Sequence, residues 1–401
     1  MGTAGLSKSR LDRMHQVLSG FIERKEMPGL VALVSHHDGV HVETLGTQGF
    51  DDPAPMELDT IFRIASITKL IAAVAAMILV EECQIRLDDS IEPWLPELAN
   101  RRVLKSLASE VDDTVPAQRA ITLRDLLTYR MGFGSIMEMP GTYPIQTLIR
   151  HYRIGGDGPT LPSQSPETEE WLHRLGSLPW LAQPGERWMY HVSGDVLGAL
   201  IARVSGQSFG AFLGQRLFDP LGMKDTAFHV PPEKIDRLSE SYSVNPQTNT
   251  LDVFDDPANS AWRSEPPFES GGGGLVSTIN DFVAFSRMML NKGRHRREQI
   301  LSRATVELMT SDQLKPEQRA GSDIFFGDHS SWGLGMAVDI QRREIFHTPG
   351  RFGWTGGLGT TAYIDPQEGM IGILFTQRMM ASPEPLKVFT DFWTLAYEAM
   401  E

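Results

Sequence analysis

Arg63-Ile-Ala-Ser66-Ile-Thr-Lys69-Leu-Ile-Ala-Ala-Val-Ala-Ala76 is the stretch on which the reading of this chain turns. It places a Ser-x-x-Lys tetrapeptide at the head of an apolar, helix-forming run. A serine at a helix N-terminus has unpaired backbone N–H groups and the positive end of the helix dipole around it, which favours a developing negative charge on its oxygen. The spacing from Ser66 to Lys69 is nearly one helical turn, so the amine and the hydroxyl share a face, where a neutral or partly desolvated lysine helps to remove the serine proton. Taken alone, such a tetrapeptide more often means an N-capping serine followed by a solvated lysine.

Upstream, Leu11, Met14, Leu18 and Phe21 recur at helical spacing, and no apolar core of signal-peptide length follows the first positive charges, so a cytoplasmic protein is expected. Gly29–Ser35 and Val40–Leu45 then read as two strands joined at His37-Asp38-Gly39. Downstream of Ser66 the pattern turns helical, as in Ile121–Leu127 and Gly194–Ile201, with a long Gly/Pro/Ser/Thr-rich loop from Arg153 to Glu170. Strand-like runs return at Gly333–Ile340, Thr360–Ile364 and Met370–Thr376, before a last helix over 385–400. Strands at both chain ends with helices between them predict an α/β (α+β) unit over 1–401: a sheet-bearing lobe from about 1–62 and 265–401, and a mainly helical lobe from about 63–264 inserted into it.

Composition narrows the function. With 401 residues, 41% of them hydrophobic and 22% charged, the chain reads as a globular enzyme. A formal net charge of -14, from Asp+Glu 51 against Lys+Arg 37, argues against a nucleic-acid partner. The most apolar run, Leu70–Val80, is too short to span a bilayer, so no membrane partner is expected. The one cysteine, Cys83, permits no intrachain disulfide and is expected as a small core residue. No motif calls for a metal or other cofactor: the histidines lack metal-binding spacing, and the glycine runs at Gly271 and Gly356 lack a dinucleotide context. Oligomeric state is left open.

The segments flanking Ser66 resemble the serine β-lactamase superfamily, the group of class C β-lactamases, DD-peptidases and family VIII carboxylesterases, over nearly the whole chain. Ile85–Ile91, Pro93–Pro96, Ile121–Thr128, Phe218–Met223 and Gly271–Thr278 with Asp281–Phe285 match in order. Where the family has a Thr-Ser-Gly turn, this chain has Tyr129-Arg-Met-Gly132. The resemblance implies the β-lactamase/transpeptidase-like fold, an antiparallel sheet flanked by helices, with Ser66 as nucleophile and Lys69 as its partner. It puts the family's second motif on Tyr190-His191-Val192 and so implies Tyr190 as general base, because a phenol beside an ammonium can ionise and take the serine proton. Val192 stands where β-lactamases carry asparagine, a change shared with the family VIII esterases.

The third motif falls on Trp354-Thr355-Gly356-Gly357. The resemblance implies that an edge strand approaches the substrate here, that the N–H groups of Gly357 and Ser66 form an oxyanion hole, and that Trp354 replaces the cation that recognises a carboxylate. A neutral ester then gains an apolar wall while an anionic peptide or penicillin loses a partner. The expected activity is that of a carboxylesterase on small acyl esters, with weak β-lactam hydrolysis. The alternatives are a β-lactamase or D-stereospecific peptidase, an acyltransferase using the same acyl-enzyme, and a catalytically idle binding protein of this fold. A rival nucleophile, Ser208 in Gly206-Gln-Ser-Phe-Gly210, satisfies Gly-x-Ser-x-Gly but follows a helix rather than a strand, so it reads as an N-cap. The loop region 131–170, with Met137 and Met139, offers either a cap over the acyl pocket or a packed lobe surface.

Overall fold

The computed structural model describes residues 5–155 and 161–401. Its argument-bearing helices are α1 (Lys8–Glu23), α2 (Thr68–Glu81), α3 (Val192–Ser205), α4 (Ile279–Leu290) and α5 (Lys387–Glu398). The main sheet holds β1 (Gly29–His36), β2 (Gly39–Gly46), β3 (Ser330–Trp332), β4 (Ala337–Asp339), β5 (Phe352–Gly356), β6 (Thr360–Asp365) and β7 (Met370–Thr376).

All eight residues of β1 are buried, which follows from its unbroken run Leu-Val-Ala-Leu-Val. A strand apolar on both faces needs a layer on each side. On one face Leu30, Ala32, Val34 and Leu374 meet Leu11, Met14, Leu18 and Phe21 of α1 and Val388, Phe389 and Phe392 of α5. On the other, Val31, Leu33, Ile373 and Phe375 join the larger core that contains α2 and α4. Truncating a fully buried aromatic such as Phe392 in such a layer costs about 3–5 kcal/mol.

The strand order is β3-β4-β5-β6-β7-β1-β2, antiparallel throughout, so the last strand of the chain is wedged beside the first. The sheet built from both termini is as the sequence predicts. Gly333–Ile340 differs from its expected single strand. Gly335 turns there with φ 83, and a Cβ at this position would come within 2.3 Å of the Ala73 methyl on α2, so the first part of the run is the turn that follows β3 and only Ala337–Asp339, β4, enters the sheet. β5 is also not a simple edge strand. Phe352 and Gly353 pair with β4, whereas Trp354–Gly356 have a ladder partner only on the β6 side. The half of β5 that bears the third motif is therefore the open half.

Within α2 every residue from Thr68 to Leu79 is buried, and the helix packs along α3. Cys83, just beyond its end, is exposed with φ 58, contrary to the expected core position: it sits in the turn that terminates the helix. The expected loop Arg153–Glu170 lies partly at 156–160, outside the described residues; its last part begins the helix Thr168–Ser177. Among the described residues no single helix is long and apolar enough to cross a membrane.

Candidate active site

Ser66 lies in a single 3-10 turn, Ala65–Ile67, that leads into α2. Ala65 before it holds φ 46, a left-handed conformation that costs a non-glycine residue about 1 kcal/mol or more. The serine does not cap the helix: the residue at the N-cap of α2 is Ile67, without a side-chain cap. Its Oγ instead accepts from Lys69 Nζ at 3.0 Å and from the Tyr190 hydroxyl at 2.7 Å. A phenol 124 residues away in sequence thus joins the neighbouring lysine on one oxygen, which local capping would not require.

Lys69 is 1% exposed, deep enough that burial pushes its amine down to about 7 against the weaker opposing pull of Asp195. At neutral pH a sizeable fraction of it is an amine able to accept a proton. Its other partners are the Gly272 carbonyl and His191 Nδ1, the latter at 3.3 Å.

Tyr190 sits in an aromatic enclosure of Trp188, Phe325 and Trp354, at ring-centroid distances of 5.6, 4.8 and 5.7 Å. Burial there raises its hydroxyl above the ordinary phenol value, against the lowering effect of hydrogen bonds with Ser66 and Trp354. The two candidate bases are therefore moved in opposite senses, the amine toward neutrality and the phenol away from ionisation. Trp354 has a role that sequence reasoning missed: its Nε1–H donates to the Tyr190 oxygen at 2.9 Å. It is a donor to the Tyr190 hydroxyl as well as a member of the aromatic enclosure.

Gly356 brings β5 against the backbone that precedes Ser66. A Cβ there would lie 2.4 Å from the Ile64 carbonyl, an oxygen to which the Thr360 hydroxyl donates at 3.0 Å. Gly357 follows directly, its carbonyl accepting from Met380 N–H at 2.8 Å. The six expected site residues, Ser66, Lys69, Tyr190, Trp354, Gly356 and Gly357, are thus brought together around the Ser66 turn. Ser208 is not among them: its oxygen accepts from Ala211 N–H at 3.1 Å and caps the short helix Phe209–Leu213. Met137 and Met139 are exposed.

Among the described residues one cluster of possible metal ligands lies apart, at β4 and the loops beside the outer strands: atoms of His329, Asp339 and His347 within 4.8 Å of one another. The donor set does not fit a cation. Asp339 pairs with buried Arg351 at 3.0 Å, and His347 Nδ1 already accepts from Glu344 N–H at 3.2 Å, which leaves a neutral ring with its proton on the other nitrogen. The two imidazoles stack at 4.0 Å instead.

The profile of the Beta-lactamase family matches residues 14–388. Protein Rv1367c of Mycobacterium tuberculosis (strain ATCC 25618 / H37Rv) is 33% identical over 360 residues, covering 88% of this chain and 86% of that protein. Esterase EstB of Burkholderia gladioli is 32% identical over 386 residues, covering 91% and 89%. Among solved structures, EstCE1, described as a hydrolase with promiscuous acyltransferase activity, superposes with a TM-score of 0.80 at 23% identity, covering 97% of this chain and 99% of its own; at that identity the likeness speaks for the fold.

Proposed function

The chain belongs to the Beta-lactamase family, and from that premise we propose that it is a carboxylesterase of the family VIII kind, cleaving small acyl esters through an acyl-enzyme on Ser66. The observation that carries this reading is the Ser66 oxygen held between Lys69 at 3.0 Å and Tyr190 at 2.7 Å, with Trp354 donating to Tyr190 from the third-motif strand. EstB is an esterase by name and 32% identical, which supports the ester over the lactam, as do Val192 and Trp354 at positions where β-lactamases carry polar groups.

The chemistry follows from the opposed shifts. The Ser66 oxygen attacks the ester carbonyl as its proton passes to the Lys69 amine, and the oxyanion is stabilised by the backbone N–H groups of Ser66 and Gly357. The C–O bond to the alcohol breaks, and the Tyr190 hydroxyl protonates the departing alkoxide. Water then attacks the acyl-enzyme while giving its proton to the Tyr190 phenolate, which Trp354 Nε1–H stabilises. The acyl–Ser66 bond breaks, and Lys69 returns a proton to the serine. An alcohol in place of water gives a transester, the reaction class in the description of EstCE1.

Ser66→Ala is expected to lower kcat on p-nitrophenyl butyrate by at least about 1,000-fold with the fold retained. Wild-type turnover in that variant, with loss in Ser208→Ala, would overturn the assignment. Rates on nitrocefin, a D-Ala-D-Ala peptide and a short ester are expected to rank the ester first.

A further inference from the structure

Tyr190, His191 and Val192 form a γ-turn: Val192 N–H donates to the Tyr190 carbonyl at 3.2 Å, and His191 takes φ 80 and ψ -67. This turn is rare and strained for any residue with a Cβ, and a backbone outlier beside a reacting group is a reason to ask what it aims. It aims an imidazole. His191 Nδ1 lies 3.3 Å from Lys69 Nζ, and Nε2 lies 3.4 Å from Asp195 Oδ2, one turn along α3.

Asp195 is itself held in place. Its Oδ1 accepts from the Ser270 hydroxyl at 2.5 Å and from Gly272 N–H at 3.0 Å, which leaves Oδ2 for the imidazole. A carboxylate beside Nε2 favours the tautomer with the proton on that nitrogen and the lone pair on Nδ1. Burial and the Lys69 charge push the imidazole down to about 4, so it stays neutral where the enzyme works.

A neutral amine has two N–H bonds and one lone pair. The Gly272 carbonyl and His191 Nδ1 are two acceptors for the N–H bonds, and the remaining direction is that of Ser66. We propose that His191 is a positioning residue for acyl transfer: its unprotonated Nδ1 takes one N–H of Lys69, so that the lysine lone pair points at the Ser66 hydroxyl, and Asp195 fixes the imidazole tautomer that makes this possible. The same contact supports the ammonium once Lys69 has taken the proton. This inference rests on the Ser66 and Lys69 reading above.

Among the described residues the ionisable groups facing this imidazole are Lys69 from α2, Asp195 from α3 and the Tyr190 phenol from its own turn; the glycine segment 270–274 approaches the ring at Gly273, where an added Cβ would lie 3.8 Å from it, and brings no titratable group. His191→Phe keeps an aromatic ring, somewhat larger than imidazole, and removes both nitrogens. The expected result is a kcat about tenfold lower at little change in KM, the size of one lost hydrogen bond to a charged group. The acidic limb of the kcat–pH profile, near 7 in the wild type, should move to lower pH, because the ammonium loses an acceptor while burial is kept. His191→Asn, whose amide oxygen takes the place of Nδ1, is expected to return the limb toward the wild-type position.

Nitrogen-15 NMR of the wild-type protein reads the same arrangement without any substitution, and His191 should show a pyridine-like Nδ1 and a protonated Nε2. A folded Phe variant with unchanged kcat and limb, or a protonated Nδ1 in the NMR spectrum, would overturn the proposal. Loss of activity in Ser66→Ala alongside either result would leave the nucleophile assignment standing and remove only the role of His191.

Discussion

Two serines stand at the entrances to helices, Ser66 before α2 and Ser208 before Phe209–Leu213, and both satisfy a nucleophile pattern in sequence. Their surroundings differ. The Ser208 oxygen is taken by the backbone three residues on, a local contact that any N-cap makes. The Ser66 oxygen is left uncapped and meets a buried amine and a phenol, while the chain around it holds two strained non-glycine residues, Ala65 and His191. A helix entrance thus becomes a reactive site when distant segments supply the oxygen's partners and the local cap is forgone.

That contrast can be broken in a graded way. The largest effect after Ser66 itself is expected from Tyr190→Phe, which removes the 2.7 Å hydrogen bond to Ser66 and the proton for the leaving alkoxide; kcat should fall by about 100- to 10,000-fold, measured on an ester of an unactivated alcohol such as ethyl butyrate. Esters of more acidic alcohols need less help in leaving, so a falling penalty across a series of leaving groups would assign Tyr190 to that proton transfer. Trp354→Phe keeps most of the wall and removes only the N–H at 2.9 Å, so a loss of roughly tenfold in kcat is expected. An unchanged kcat there would reduce Trp354 to packing. Ser208→Ala should leave kcat unchanged and lower stability by about 1 kcal/mol, the usual worth of an N-cap, read from the denaturant midpoint.

The residues also mark how far sequence reading reaches. That Ser66 and Lys69 share a face is legible because their relation is local, fixed by the helical repeat over three positions, while their catalytic roles came from the resemblance of the flanking segments. The sheet was legible because β1 and β7 are continuous apolar runs whose burial on both faces leaves few other arrangements. Tyr190, Trp354 and Gly357 came from resemblance, since nothing in their spacing says which strand meets which helix. His191 and Asp195 escaped notice as a pair: a four-residue separation is a visible signal on a helix, but His191 lies outside α3, and only the γ-turn brings its ring around. Trp354 was read from its apolar surface, and the direction of its N–H is a property of packing. Cys83 was placed by the apolarity of the residues before it, although the helix stops there.

The position of β7 between β6 and β1 bears on how the protein comes into being. During synthesis β1 emerges long before its neighbour β7 and the covering helix α5. Until β7 has been made, a strand buried on both faces has only β2 beside it, so the growing chain presents a sticky open edge. The Gly356-Gly357 segment, proposed above as part of the oxyanion site, also comes late, shortly before β7. Truncation ahead of Met370 should therefore yield neither a weakened enzyme nor a smaller one, but an aggregating chain that depends on chaperones.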